Sequence, residues 1–97
     1  MNRIDLTATL TERSAMRYTP AGVAVTQAVF HHEGEVVEAG ALRNVQMDVD
    51  TIALGALAQR VQALPLGAQV RFTGFLAPRS RRSQKLRIHM TDFDLGA

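Results

Sequence analysis

VRFTGFLAPRSRRSQKLRIHMTDFDL, residues 70–95, decides the fold. Val70, Phe72 and Leu76 alternate with Arg71 and Thr73, and Leu86, Ile88 and Met90 alternate with Arg87, His89 and Thr91. A period of two with one apolar side is the pattern of half-buried antiparallel strands. Between them, Pro78 and the polar run Arg79-Ser80-Arg81-Arg82-Ser83-Gln84 offer no apolar side chain to hold the tip against a core, so residues 78–85 read as a basic, projecting and mobile loop. From Arg79 to Arg87 stand five basic residues (Arg79, Arg81, Arg82, Lys85, Arg87) and no acidic one, while the other 88 residues carry six basic and nine acidic. The formal net charge of +2 therefore conceals a local positive finger, and a polyanion is the first partner it implies.

Upstream of this ribbon, Arg3 to Leu10 alternates strictly, with Ile4, Leu6, Ala8 and Leu10 on one side and Arg3, Asp5, Thr7 and Thr9 on the other, as a first strand with one wet face. Thr11 to Gly22 is a polar connection carrying Arg13, Arg17 and Tyr18 and closed by Pro20-Ala21-Gly22, residues suited to a turn. Two readings of Tyr18 stand: a ring folded over the barrel end, or a stacking surface for a base with Arg17 holding a phosphate. Val23 to His32 is a second strand on β-branched propensity. Val23, Val25 and Val29 share one face, and Ala24, Thr26, Ala28 and Phe30 share the other. Phe30 either faces solvent, as a base platform or subunit contact, or is turned inward by a bulge.

Glu33 to Gly40, EGEVVEAG, has three acids and two glycines and reads as a hairpin connection that would repel a nucleic acid backbone. Leu42 to Asp50 is the third strand, with Val45, Met47 and Val49 on the buried side and Arg43 and Asn44 as candidates for the wet face. Ile52 to Leu64 changes to helical spacing, Leu54, Leu57, Val61 and Leu64, with alanines supplying propensity, an irregular start at Gly55, and an end at Pro65. The fourth strand runs from Gln69 to Ala77. Gly74 removes bulk within it, where the sheet bends or another segment comes close. Phe75 lies on the opposite parity from Phe72, which places one ring on an outer surface. In the last strand a bulge near Thr91-Asp92 is needed to bury Leu86, Ile88, Met90, Phe93 and Leu95 together.

The order is three strands, a short helix and two strands, in a chain of 97 residues that is one domain, 1–97. An all-β, five-stranded Greek-key barrel of the oligonucleotide/oligosaccharide-binding (OB) type, with the helix between strands three and four, fits this order. In that fold the loops after strands one and four reach over the binding face, and here they carry Arg13, Arg17 and Tyr18 on one side and the arginine cluster on the other. A small sandwich or a Src-homology-like barrel would absorb much of the same alternation. No stretch approaches the roughly 20 apolar residues of a membrane span, and the N-terminus lacks signal-peptide features, so a cytoplasmic location is expected. With no cysteine, disulfides and thiolate metal sites are excluded. Adjacent His31 and His32 point to opposite sides of a strand, so no shared metal is expected, and no cofactor-binding pattern is present. Paired catalytic carboxylates, a nucleophile beside a base and a phosphate-cradling glycine loop are all missing from the pattern. Asp48 and Asp50 share a face but read as solvated strand residues. No enzymatic activity is expected.

The chain resembles the primosomal replication protein N (PriB) family, relatives of bacterial single-stranded DNA-binding proteins. The likeness lies in NRIDLTATL, the Thr19-Pro20-Ala21-Gly22 turn leading into VAVTQAVFHHE, Glu38-Ala39-Gly40, Gln46-Met47, and Gly67 through VRFTGFLA. It implies a homodimeric OB barrel that binds single-stranded DNA during replication restart and primosome assembly beside the primosomal helicase. The family's basic loop matches Arg79, Arg81, Arg82 and Lys85, and its strand-three aromatic falls at Asn44, which cannot stack a base. The other class of function is a protein interaction adaptor of the primosome in which DNA binding is secondary.

Overall fold

The computed structural model describes residues 1–95; the last two positions of the expected 1–97 domain lie outside the described residues. Six strands and one helix follow in the order β1 (Ile4–Arg13), β2 (Arg17–Tyr18), β3 (Ala24–Glu38), β4 (Ala41–Leu54), α1 (Ala56–Gln62), β5 (Gln69–Pro78) and β6 (Leu86–Leu95). The two-residue β2 is a short addition at the edge of β3. The other five strands close on themselves in the order β1, β5, β6, β4, β3 and back to β1. Closure depends on two features: β1 pairs with β5 over Ile4–Thr9 and with β3 over Thr9–Arg13, and β4 meets β6 in a short parallel contact, Thr51 opposite Ile88 and Ile52 opposite His89. This is the expected OB barrel with its helix between β4 and β5.

Five strands close around so small a core only if they bend sharply. Two bulges supply part of the bend, one in β1 between Leu10 and Glu12, the other where Thr73 faces Asp92 but Gly74 faces Met90. The second leaves Thr91 as the extra residue, as the alternation required. Ile88, Met90 and Phe93 are buried by it, but Leu86 and Leu95 are not, because they lie at the ends of the ribbon beyond the core. At Gly74 the backbones approach so closely that a Cβ would collide with the His89 carbonyl oxygen and come within 2.9 Å of Ile88 Cγ2.

Phe30 is fully enclosed and packs on Phe72 with ring centroids 5.3 Å apart, so it is neither a base platform nor a subunit contact. No bulge in β3 is needed to turn it inward. The face that carries Ala24, Thr26 and Ala28 is the inner one, and its side chains are small because α1 plugs the barrel at that end. The Thr26 hydroxyl donates to the Ala58 carbonyl at 2.9 Å, which ties helix to strand. Ala58 and Val61 point into the core together with Leu64 just beyond the helix.

Beyond β1 running on to Arg13 and β2 forming inside the expected connection, two boundaries and one burial differ from the sequence reading. EGEVVEAG is not a connection: β3 runs on to Glu38, and the turn is only Ala39-Gly40, with φ of 52° and 80°. Positive φ at both positions marks the tight turn whose twist matches a hairpin. The helix begins at Ala56, after Gly55 with φ of 71°, because Ile52–Leu54 extend β4. Met47 is exposed rather than buried, since β3 and β4 continue past the barrel as a two-stranded arm whose register pairs Gly34 with Val45 and Glu38 with Ala41.

Gly74→Ala should lower stability by about 1–3 kcal/mol, the usual cost of overpacking, because the obstruction is backbone. Urea unfolding followed by circular dichroism measures it, and an unchanged midpoint would contradict the tight approach of β5 to β6.

Candidate nucleic-acid interface

Side chains on alternate positions of each strand project from the barrel, and the register aligns them across strands. On the outside, Ala77 of β5 faces Arg87 of β6, and the parallel contact of β6 with β4 brings Asp50 alongside. Asp50 Oδ2 accepts from Arg87 Nε at 3.0 Å and lies 3.3 Å from Arg79 Nε. The Arg87 side chain keeps only 10% of its surface. One carboxylate thus anchors the base of the arginine loop to the outer face of β4, and Arg87 braces the barrel instead of presenting its charge.

The loop itself is closed at the neck, where the Arg79 amide donates to the Lys85 carbonyl at 2.9 Å, and turned at the tip, where the Ser83 amide donates to the Ser80 carbonyl at 3.2 Å. The Lys85 amide also donates to the Ser83 hydroxyl at 3.0 Å. Arg81, Arg82 and Lys85 are exposed and have no carboxylate partner among the described residues. Their charges are open to phosphate.

The remaining expected site residues divide. Arg17 and Tyr18 lie exposed on β2, beside Val25 and Ala24, so the ring does not fold over the barrel end. Arg13 is turned to structural use, its guanidinium donating to the Leu64 carbonyl after α1. Together with Glu12, Ser14, Gln27, Val29 and Asp50 it lines a shallow groove of about 430 Å³. Arg43 is exposed but its Nη1 donates to Glu38 Oε1 at 2.8 Å, and Asn44 is exposed opposite Glu35. These last two stand on the arm of β3 and β4, which from 33 to 50 holds five carboxylates against one arginine. The arm and the loop have opposite charge, so the structure does not join Arg43 and Asn44 to the arginine cluster.

Sequence reasoning missed the anchoring role of Asp50, since the β4–β6 contact that creates it joins segments almost forty positions apart with no local signature. It also missed His31. The imidazole Nδ1 lies 2.8 Å from Asp48 Oδ1 and Nε2 lies 3.1 Å from Glu33 Oε1. Hydrogen bonds to Asp48 first and Glu33 second, with their charges, raise its pKa above the ordinary 6.5. Flanking Thr73 on β1 and β6, Asp5, bonded to Arg3 and Thr73, and Asp92, bonded to Arg60 and the Phe93 amide, are held below the ordinary carboxylate value.

Residues 2–92 match the family model described as "Another single-strand binding protein family". Over 90 residues the chain is 42% identical to the replication restart protein PriB of Bordetella pertussis, an alignment that spans 93% of this chain and 84% of that protein. The chain belongs to the PriB family. The PriB of Nitrosomonas europaea is 31% identical, with 94% of this chain and 84% of that protein covered. Among solved structures, PriB from Ralstonia solanacearum superposes with a TM-score of 0.91 at 32% identity, covering 100% of this chain and 99% of that one. A deletion mutant of the single-stranded DNA binding protein from Thermus aquaticus gives a TM-score of 0.76 at 25% identity, covering 97% of this chain and 49% of that one. This chain combines an anchored arginine loop with an acidic arm.

His31 has a raised folded pKa, so its contribution to stability is complete below the unfolded value of 6.5 and disappears as pH rises through the folded one. The stability difference between the wild type and His31→Gln should be larger near pH 6 than near pH 9. Denaturant midpoints at both pH values measure this, and a difference independent of pH would rule out the charged bridge.

Proposed function

We propose that the protein binds single-stranded DNA, with little regard to sequence and without chemistry on the strand, in replication restart and primosome assembly. The observation that carries this reading is the exposed trio Arg81, Arg82 and Lys85 on a loop tied by Asp50 to the barrel's outer face, in a chain of the PriB family. Unpaired guanidinium and ammonium groups displace condensed counterions from a polynucleotide, an affinity that any sequence supplies. Arginine adds planar, bidentate contact with phosphate that lysine cannot. Tyr18, with Arg17 beside it, is a second contact, a ring for a base and a charge for its phosphate.

The protein acts as a homodimer in the cytoplasm, alongside the primosomal helicase and other primosome proteins. No helix among the described residues is long and apolar enough to cross a membrane. The adaptor reading has its own support in the arm: Val36, Val37 and Leu42 are exposed near its tip beside Glu35 and Glu38. An apolar tip rimmed by carboxylates suits a protein partner and repels a phosphate backbone. The two roles use different surfaces and coexist.

Changing Arg81 and Arg82 together to alanine should weaken binding to thymidine and mixed-sequence oligonucleotides alike. The slope of log affinity against log salt should fall by about 1.4, for two lost phosphate contacts on a single strand. Fluorescence anisotropy of a labelled oligonucleotide at several salt concentrations measures both. An unchanged affinity and slope would remove the loop from the interface.

A further inference from the structure

Sequence-tolerant binding of a single strand draws on rings as well as charges, and this chain has few rings to offer. It has four phenylalanines, one tyrosine and no tryptophan. Phe30, Phe72 and Phe93 are buried, which leaves Tyr18 and Phe75 as the exposed members of that set. Phe75 retains 37% of its surface and is stacked on His89, with centroids 4.9 Å apart and planes 14° from parallel. Nearly parallel rings on neighbouring strands form a short stack in which Phe75 is partly exposed.

The place of this column is set by register. Phe75 and His89 are cross-strand partners on β5 and β6, and the next outward pair toward the loop is Ala77 with Arg87. Two residues of strand advance about 7 Å, so Arg79 at the loop neck stands about 13 Å from Phe75 along the same ribbon. Two carboxylates border that path: Asp50 is held by Arg79 and Arg87, and Asp48, which shares a cleft with Leu76, Leu86 and Arg87, is bonded to His31. Both carboxylates there have a basic partner, whereas the tip of the arm of β3 and β4 carries Glu35 and Glu38 beside a single arginine, Arg43.

We propose that Phe75, backed by His89, is a base-stacking platform that extends the DNA path from the arginine loop along the outside of β5 and β6; this rests on the single-stranded DNA reading above. Nucleobases of every kind have a π-face, so a base laid on Phe75 lengthens the column without selecting sequence. The platform does at this position what the amide of Asn44 cannot do on β4. His89 is a positioning residue, holding the phenyl ring upright through their shared face.

Phe75→Ala should weaken binding of a labelled thymidine oligonucleotide about five-fold or more while leaving the salt slope unchanged, since no phosphate contact is lost. Phe75→Trp keeps an aromatic surface, restores binding to at least the wild-type level, and installs the sole tryptophan of the chain, whose fluorescence should be quenched as oligonucleotide is added. Sedimentation velocity of each variant without DNA supplies the control for protein contact. Wild-type affinity in Phe75→Ala, or no quenching in a Phe75→Trp protein that binds DNA by anisotropy, would overturn the platform and leave DNA binding intact. Altered subunit number in Phe75→Ala with wild-type affinity would make the ring a contact between copies instead. Absence of DNA binding in the wild type would overturn both this proposal and the reading on which it rests.

Discussion

Closure of five strands around one small apolar core is the constraint from which the other features follow. A barrel this small cannot bend evenly, so the bend is concentrated at the bulges in β1 and β6 and at Gly74, where β5 and β6 nearly touch. The bulge at Thr91 shifts the inner parity of β6, so that Phe93 is buried along with Ile88 and Met90. Inside, Phe30 packs on Phe72; outside, Phe75 and His89 form a stacked pair. Closure also makes β4 a neighbour of β6, although the helix and a whole strand separate them in sequence.

That neighbour relation organises the electrostatics. Asp50 on β4 receives Arg87 and Arg79, which belong to the end of β6 and the start of the loop. The nearly buried Arg87 charge is compensated and the loop is held beside the barrel, leaving Arg81 and Arg82 at the tip and Lys85 at the neck without a carboxylate partner among the described residues. Meanwhile β3 and β4 extend past the last barrel pairing as an acidic arm with an apolar tip. Small size thus does not prevent two surfaces of opposite charge, because the basic loop and the acidic arm leave the barrel at different places.

Strict alternation made β1, β5 and β6 legible in the sequence, and the bulge at Thr91 was legible as a break in that alternation. The basic loop was legible from its charge alone. The length of β3 was not, since Gly34 and three acids in EGEVVEAG resemble a turn; backbone pairing with β4 sustains a strand there without a buried face. Phe30 was ambiguous because the inner face near the helix carries Ala24, Thr26 and Ala28, and small residues look like neither core nor surface until α1 is packed against them. The roles of Arg13, Arg87 and Asp50 were hidden for a different reason. Each makes its contact with a segment far away in the chain, Arg13 at the end of α1 and Arg87 across the parallel contact, and charge by itself does not distinguish a brace from a grip.

The central claim is that a single strand follows the arginine loop and the outside of β5 and β6 and avoids the acidic arm. Backbone amide shifts recorded by nuclear magnetic resonance as a thymidine oligonucleotide is added test it most directly, because they report every surface at once. The account predicts the largest changes at residues 79–85 and around Phe75 and His89, with residues 34–42 unmoved. Changes confined to residues 34–42, with the loop silent, would contradict it.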